Sequence, residues 1–416
     1  MTDFARVQID PQSAVTPLRP VEETALGKFH ALVVADEELA SSLCQASDVN
    51  CFVDLAIRTA DARGLTLVAE ALHSRLRPDP LGMSRWATAP MIGSVWPPRQ
   101  WLPIHLSTLN GQIYIDWADF SATPLTAPFF EQSIRDALNR PFNRLFRYRM
   151  TLKDFVEHAD VNESVAPSGF IFHMSRCGST LVSQMLAALP HTIAISEAAP
   201  IDAIVQLSRT WSQFPIEQHV KCLSAIVAAY SRRRSGGERH FVVKLDSWHT
   251  LALSLFRRAF PSVPWLFLYR EPIEVLVSQM RQRGAQMVAE LVSPSLYGID
   301  DTGDIRAEDY CARVLNKICA SIIDNYGEGG GLLVNYRELP GAIGTRILPH
   351  FGVTYSDDER EVVDRVAHYD AKAPSFEFAD DTASKQHEAT DMVRATAERQ
   401  LSDVYRRLED LRAGGT

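Results

Sequence analysis

Lysine is scarce in this chain, since only seven of its 42 lysine and arginine residues are lysines. The sequence also lacks an apolar run long enough for a membrane-spanning helix. Its start, MTDFARVQID, lacks the basic and then apolar order of a secretory signal. These absences predict a soluble, cytoplasmic protein without a membrane span, in which a lysine near a candidate site is informative.

The six cysteines stand at spacings that fit no zinc or disulfide framework, so we expect reduced thiols and no bound metal. A net charge of −9 argues against a general nucleic-acid binder, although a local basic pocket for an anionic ligand is compatible with it. A length of 416 residues exceeds one ordinary core. We therefore expect more than one structural unit.

The first unit, over residues 1–85, is predicted to be helical because apolar residues recur every three to four positions from Leu26 to Leu76. Three polar residues are placed to cap successive helices: Asp36, Asp48 and Thr66. The order of Phe, acidic caps, Leu pairs and a late Gly-Leu-Thr faintly resembles the Nif11-type leader domains of bacterial peptide precursors. A generic three-helix bundle would give the same pattern.

The second region, residues 86–165, is rich in proline and tryptophan and links the helical unit to the rest of the chain. Within it, Asn110 and Gly111 stand between two alternating apolar runs. An Asn-Gly pair in this position is the strongest short signal for a two-residue β-hairpin. The region is therefore predicted to contain a hairpin or small sheet.

The third unit, residues 166–416, alternates strand-like and helix-like segments. Its apolar segments include FIFHM, HFVVKL, VPWLFLY and GLLVNY, each followed by a helical pattern. Continuous apolar strands separated by helices are typical of a parallel sheet covered on both faces. The predicted fold class is therefore α/β.

The segment GFIFHMSRCGSTLVSQML, Gly169 to Leu186, joins the first of these strands to a helix through small and hydroxyl-bearing residues. Such a turn exposes backbone N–H groups at the positive end of the helix and suits phosphate or sulfate. Gly178 allows close approach of an anion, Arg176 adds a cation, and Ser179 and Thr180 add hydroxyl donors. The Walker pattern would place a lysine before the final hydroxyl residue, but Ser179 follows Gly178 directly. A magnesium-dependent phosphoryl transferase is therefore disfavoured.

This loop resembles that of the sulfotransferase superfamily, particularly its bacterial and tyrosylprotein-type branches, where the 5′-phosphosulfate loop reads Pro-Arg-Ser-Gly-Thr-Thr. The corresponding residues here are Ser175, Arg176, Cys177, Gly178, Ser179 and Thr180. Ser175 replaces proline and Cys177 replaces serine. Because a thiol donates only weakly, a hydroxyl contact is expected to be lost at Cys177 while the backbone contacts remain.

A second motif of the same superfamily lies in LFLYREPIEVLVSQM, where Arg270 ends a strand and Ser278 follows eight residues later in a helix. The resemblance implies that these two residues hold the 3′-phosphate of the donor, 3′-phosphoadenosine 5′-phosphosulfate. Arginine offers phosphate a charged, two-pronged contact. Pairing of Arg270 with Glu271 or Glu274 is the alternative explanation. The resemblance covers residues 169–411, about three-fifths of the chain.

The catalytic residues implied by the resemblance are Glu197, Lys244 and Arg176. Glu197 would be the base for the acceptor hydroxyl, with partial burial raising its pKa. Lys244 and Arg176 would stabilise charge on the leaving group, and Arg176 would also contact the donor. A helix cap or an arginine pair is the alternative role for Glu197, and neutralisation of Asp246 is the alternative for Lys244.

Two histidines are rival candidates for the base. His173 lies on the strand before the loop, where a hydrogen-bonded core histidine is the more common role. His249 follows the strand that carries Lys244.

The function predicted from the sequence is transfer of a sulfuryl group from 3′-phosphoadenosine 5′-phosphosulfate to a hydroxyl or similar acceptor. A small molecule or a peptide would be the acceptor, and nucleic acid is not expected as a partner. The oligomeric state and the acceptor's identity are not predicted. Two alternatives stay open, which are a P-loop nucleotide-dependent kinase and a non-catalytic nucleotide-binding protein of the same fold.

Overall fold

A computed structural model describes residues 24–77, 90–159, 164–211, 214–369, 371 and 381–414. The predicted helical unit is therefore described only from residue 24 to residue 77, and the rest of it lies outside the described residues. Its helices are α1 (Ala25–Ala35), α2 (Glu37–Cys44), α3 (Val49–Asp61) and α4 (Ala69–Arg75). The helical prediction is confirmed over this range, and the likeness to Nif11-type leaders stays a prediction.

Two of the three predicted helix caps are present. The Asp36 side chain accepts from the Leu39 N–H at 3.0 Å and begins α2. Asp48 accepts from the N–H groups of residues 50 and 51 and begins α3. The prediction of a cap at Thr66 is wrong, because the chain buries Leu67 in a non-helical segment and α4 begins only after Val68, without a side-chain cap.

The second region contains the predicted hairpin within a small sheet. Its strands are β1 (Met91–Ile92), β2 (Trp101–Leu109), β3 (Gln112–Asp119) and β4 (Tyr148–Thr151). Its helices are α5 (Phe130–Leu138), α6 (Pro141–Leu145) and α7 (Leu152–Glu157). β2 and β3 pair antiparallel across Asn110 (φ 51°) and Gly111 (φ 75°), as a two-residue turn requires. In the described chain this sheet has the order β1-β4-β3-β2.

The third unit contains a parallel sheet, as predicted. Its strands are β5 (Pro167–His173), β6 (Thr192–Ser196), β7 (His240–Lys244), β8 (Trp265–Tyr269) and β9 (Gly331–Asn335). Within the part of the chain that is described, the order is β6-β7-β5-β8-β9, and every neighbouring pair is parallel. The inner strands are apolar and buried, which confirms an α/β fold with helices on the sheet.

The helices of the third unit connect these strands and cover the sheet. They are α8 (Ser179–Ala187), α9 (Ala199–Val205), α10 (Leu207–Thr210), α11 (Ile216–Tyr230), α12 (Leu253–Ala259), α13 (Pro272–Arg281), α14 (Ala307–Asn325), α15 (Leu348–His350), α16 (Asp357–Val366), α17 (Thr382–Glu388) and α18 (Asp391–Gly414). Short 3₁₀ or π turns span Ser247–Ala252, Ala285–Met287, Pro294–Tyr297, Tyr326–Glu328, Tyr336–Glu338 and Ile343–Ile347. No described helix has the length and apolar character needed to cross a bilayer.

The strand order positions the candidate site. β5 lies in the middle of the sheet, and the chain leaves it first toward β6 and β7 and later toward β8. In open parallel sheets, a crevice forms at the carboxyl ends of the strands where the direction of winding reverses. The segments that follow β5, β6, β7 and β8 carry the predicted site residues, so they meet at this edge.

The second region contacts the third unit through the end of α11 and the residues that follow it. Tyr230, at the end of α11, donates from its hydroxyl to the Pro103 carbonyl at 2.7 Å. Arg232 donates to the Pro97 carbonyl at 2.7 Å. The division of the chain into three units stays a prediction, but these bonds hold the second region against the third.

Candidate active site

The predicted phosphate loop, Ser175 to Thr180, joins β5 to α8 and includes the first two residues of that helix. Ser175 (φ 81°), Arg176 (φ 53°) and Gly178 (φ 83°) all have left-handed backbone. Such conformations are costly for residues other than glycine and occur mainly at functional sites. The Ser175 N–H donates to His173 Nδ1 at 3.0 Å, and successive N–H groups of such a turn are the kind of backbone that forms an anion-binding concavity. Gly178 caps α8 without a side chain, so the first N–H groups of the helix have no side-chain cap.

Gly178 is also required by the space around it. A Cβ atom at this position would lie 2.8 Å from Leu339 Cδ1 and 2.9 Å from Tyr336 Cδ2. Any larger residue would push the loop away from the residues that follow β9. Both the positive φ and the contacts with Leu339 and Tyr336 therefore fix glycine here, and the approach of an anion to Gly178 stays a prediction.

The side chains of the loop divide between the core and the cavity. Cys177 is fully buried, its thiol donates to the Leu268 carbonyl at 3.1 Å, and burial raises its pKa to about 11. It is therefore a neutral thiol that packs the loop onto β8 and leaves only its backbone for an anion. Arg176 donates to the Gln282 carbonyl at 2.7 Å. Arg176, Ser179 and Thr180 all line the cavity.

Arg270 and Ser278, the second predicted pair, lie on the same cavity as the loop. This cavity has a volume of about 550 Å³, which is within the usual range for small-molecule sites. Arg270 follows β8 and is buried, and Ser278 lies on α13. The structure therefore places the residues of the two predicted anion sites around one cavity, which Glu197 also lines.

Arg270 also makes the ion pair proposed as its alternative role. Its Nε donates to the Glu274 carboxylate at 2.5 Å, while Glu271 accepts from a backbone N–H at the start of α13. Its guanidinium carbon lies 3.9 Å from the centre of the Tyr336 ring. Glu274 thus orients the guanidinium, and Arg270 also lines the cavity.

Lys244 and Glu197 form a buried ion pair at the ends of β7 and β6. The Lys244 ammonium contacts the Glu197 Oε1 atom, and the Lys244 side chain is 1% exposed against 26% for Glu197. Glu197 lines the cavity, whereas Lys244 lies behind it and faces the Phe129 ring at 5.4 Å. The suggested pairing of Lys244 with Asp246 is not seen.

The predicted rise in the pKa of Glu197 is wrong for this arrangement. Burial alone would raise it, but the Lys244 ammonium and the hydrogen bond from His173 outweigh burial and hold the pKa of Glu197 well below its usual range. Glu197 also has left-handed backbone (φ 51°), and its N–H donates to the Lys244 carbonyl at 2.8 Å. Its position is therefore fixed from both backbone and side chain.

His173 supports Glu197 and is poorly placed to act as a base. Its Nδ1 accepts from the Ser175 N–H at 3.0 Å, so its proton is on Nε2. That Nε2 lies 3.0 Å from the Leu245 carbonyl and 3.4 Å from Glu197 Oε1, and both are acceptors. Burial lowers the pKa of His173 and keeps the ring neutral.

His249, the other rival base, is fully engaged away from the cavity. Its Nδ1 lies 3.3 Å from the Asp246 N–H, which donates to it, and its Nε2 lies 2.9 Å from Asp202 Oδ1. Asp202 also accepts from the Trp248 indole at 2.6 Å. His249 therefore fixes the segment after β7 rather than reaching into the site.

Asp246 lines the cavity and is a further candidate for the site, whereas the sequence suggests it only as a counter-ion of Lys244. Among the described residues its one basic partner within 4.0 Å is His249, at 3.9 Å. Burial, followed by the nearby carboxylates of Glu197 and Asp202, raises the pKa of Asp246 to about 7. The sequence feature that points to Asp246 is its place two positions after the end of a buried strand, at the edge of the sheet where the other site residues lie.

Comparison with known proteins gives structural neighbours only. No protein-family model and no curated protein matches the chain. Among solved structures, the sulfotransferase domain of the olefin synthase from Synechococcus PCC 7002 is 18% identical, with a TM-score of 0.36 over 60% of this chain and 95% of that one. A sulfotransferase from Mycobacterium avium is 10% identical, with a TM-score of 0.38 over 61% and 81%. A sulfotransferase from Alicyclobacillus acidocaldarius is 14% identical, with a TM-score of 0.33 over 60% and 96%.

Proposed function

We propose that this chain is a sulfotransferase that uses 3′-phosphoadenosine 5′-phosphosulfate and transfers its sulfuryl group to an acceptor hydroxyl. The observation that carries the proposal is that the loop before α8 and the Arg270–Ser278 pair open on one cavity, with Glu197 between β6 and that cavity. A ligand with anionic groups at two separate positions of one nucleoside matches this arrangement. A ligand with a single anionic end would leave one site unused.

In this proposal the loop and the start of α8 hold the phosphosulfate end of the donor. The contacts come from the backbone N–H groups of Cys177 and Gly178, the hydroxyls of Ser179 and Thr180, and the Arg176 guanidinium. Arg270 and Ser278 hold the 3′-phosphate. The absence of a lysine after Gly178 favours this donor over a nucleoside triphosphate with magnesium.

The Lys244–Glu197 pair supplies the chemistry. When the donor adds negative charge beside the pair, the Lys244 ammonium moves from behind Glu197 toward the departing oxygen and stabilises it together with Arg176. Loss of its counter-ion lets burial raise the pKa of Glu197, so that Glu197 accepts the proton of the acceptor hydroxyl. The acceptor oxygen forms a bond to sulfur, and the bond from sulfur to the 5′-phosphate oxygen breaks. The free protein thus represents a resting state.

Asp246 is the rival for the role of base. It lies on the same cavity, and its raised pKa of about 7 is suited to proton transfer near neutral pH. Glu197 is preferred because it contacts Lys244 and follows a strand adjacent to β7. The proposed base and the proposed catalytic cation therefore lie side by side. Phe129 and Trp248 line the same cavity and suit an acceptor with an apolar body, either a small molecule or a peptide.

Ligand binding and turnover test the proposal separately. A thermal-shift comparison of 3′,5′-adenosine bisphosphate, AMP and ATP with magnesium should show selective stabilisation by the bisphosphate. Radiolabelled donor should then be consumed in the presence of phenol, carbohydrate and peptide acceptor pools, and a chelator of divalent metal should not stop it. Selective stabilisation by ATP with magnesium would instead indicate a kinase. Bisphosphate binding without consumption of donor would indicate a non-catalytic binder.

A further inference from the structure

One carboxylate bridges two buried cations in the part of the cavity assigned to the 3′-phosphate. Asp381 Oδ1 lies 2.9 Å from Arg270 Nη2, and Asp381 Oδ2 lies 2.7 Å from Lys385 Nζ. The Arg270 and Lys385 side chains are each 5% exposed, and both line the cavity together with Asp381. A buried cation is stable only with an anionic partner, and Asp381 supplies one to both.

Asp381 is the member of this group that is free to leave. The other carboxylate on Arg270, Glu274, has an 8% exposed side chain and lies on α13, whereas the Asp381 side chain is 39% exposed. Asp381 immediately precedes α17 but makes no side-chain capping bond to that helix. Among the described residues, its carboxylate is therefore held by the two cations and not by the helix that follows it.

The contacts of Asp381 are those that a phosphate group would make. Two oxygen atoms of one anion accept from a guanidinium and from an ammonium, and Arg270 Nη2 also donates to the Thr382 hydroxyl at 3.3 Å. The Lys385 and Arg270 interactions hold the pKa of Asp381 below its usual range although burial opposes this, so the group is an anion at neutral pH. The pocket thus contains an anion supplied by the chain itself.

We infer that Asp381 occupies the position of the donor's 3′-phosphate and is exchanged for it when the donor binds. The inference rests on the proposed function, because it takes the ligand to be a 3′-phosphorylated nucleotide. An internal competitor lowers the apparent affinity by the fraction of molecules in which it fills the pocket. Asp381 therefore stabilises the empty protein, weakens the hold on the spent donor and so favours its release. Nucleotides without a 3′-phosphate do not compete with it.

The test is the Asp381→Asn variant, which keeps the shape of the side chain and removes its charge. The matched control is Glu388→Gln, which removes one charge from the helix that follows Asp381, where Glu388 pairs with the exposed Arg281 outside the pocket. Calorimetric titration gives the Kd for 3′,5′-adenosine bisphosphate and for AMP, and thermal unfolding gives the Tm of each free protein. We expect D381N to lower the Tm of the free protein and to tighten bisphosphate binding by about tenfold, a change of ~1.4 kcal/mol, with the AMP affinity unchanged.

The opposite signs of the two effects separate this inference from a purely structural role. A structural role would weaken bisphosphate binding along with stability, and an unchanged or weaker affinity in D381N therefore overturns the inference while the proposed function stands. If neither wild type nor D381N binds the bisphosphate, both the inference and the proposed function fail.

A crystal structure of the wild type with bound bisphosphate tests the exchange without any variant. We expect phosphate on Arg270 and Lys385 with Asp381 displaced, and retention of both Asp381 contacts beside bound phosphate would overturn the exchange.

Discussion

Lys244, the last residue of β7, and Glu197, the residue after β6, are joined through both backbone and side chain. The Glu197 N–H donates to the Lys244 carbonyl at 2.8 Å, and the Lys244 ammonium contacts the Glu197 carboxylate. Because adjacent strands fix the two backbones, the ion pair does not depend on a flexible loop. The pair can therefore break on the arrival of another anion without moving either residue's Cα, which the proposed chemistry requires.

Replacing Glu197 by glutamine should reduce sulfuryl transfer without reducing donor binding. Loss of a general base typically costs 10²- to 10⁴-fold, so we expect turnover to fall by roughly a factor of 10³. The Kd for 3′,5′-adenosine bisphosphate should not rise, because the amide keeps the size of the carboxylate and no longer competes with the ligand for Lys244. The measurement is release of product from radiolabelled donor, together with calorimetric binding.

Asp246→Asn is the companion variant for this test. It removes the rival carboxylate of the same cavity, and we expect it to retain much more turnover than Glu197→Gln. The reverse order, with Asp246→Asn inactive and Glu197→Gln active, would transfer the role of base to Asp246.

Replacing Arg270 by alanine should weaken binding of 3′,5′-adenosine bisphosphate by roughly 2 to 5 kcal/mol, the usual cost of removing one partner of a buried charged contact. The effect should be much smaller for AMP, which lacks the 3′-phosphate. Calorimetry measures both affinities. Arg281→Ala, at the end of the helix that follows Arg270 but exposed and paired with Glu388, is the control and should bind the bisphosphate as the wild type does. Unchanged bisphosphate affinity in the Arg270 variant would contradict the assignment of the second anion site.

The features that the sequence predicted correctly are those encoded over short distances. The hairpin at Asn110-Gly111 depends on two adjacent residues. The placement of Arg270 after a strand and of Ser278 in the next helix is set within one strand-to-helix connection, and their role in binding phosphate stays a prediction. The parallel sheet follows from continuous apolar strands between helices. Each of these signals lies within a window in which chain geometry alone fixes the neighbours.

The features that were missed depend on distant partners. Asp381 meets Arg270 across 111 positions of sequence, and nothing near either residue predicts that contact. The sequence predicts a raised pKa for Glu197 because nothing near that residue reveals its counter-ion. That counter-ion, Lys244, lies on a neighbouring strand 47 positions later. Lys244 and Asp246 would share a face if β7 continued, but the strand ends at Lys244, so alternation no longer relates them.

His30 should make the stability of the helical unit fall in mild acid. Its side chain is buried against Phe146, its Nε2 has no hydrogen-bond partner among the described residues, and burial lowers its pKa from 6.5 to about 4. Between these values the unfolded chain binds a proton that the folded chain does not, so stability decreases as pH falls from 6.5 to 4. We expect a loss of up to about 3 kcal/mol. Chemical denaturation across this pH range should show a flatter profile for His30→Leu, and an equally steep one would contradict the assignment.

Asp246 should make the stability of the protein fall as pH rises above neutral, whereas His30 lowers stability as pH falls. Its pKa is raised from 3.8 to about 7, so the folded protein binds the proton more tightly than the unfolded chain. Its contribution to stability is complete below 3.8 and is lost as pH rises through 7, where a buried carboxylate forms beside Glu197 and Asp202. Asp246→Asn should therefore stabilise the protein at pH values above 7, by up to about 4 kcal/mol, and have little effect near pH 4. Calorimetric unfolding across this range measures the difference, with the exposed Asp54→Asn as a control for the change in net charge. A variant that is less stable than wild type at high pH would show that the carboxylate is held there by favourable contacts, and the raised pKa would be wrong.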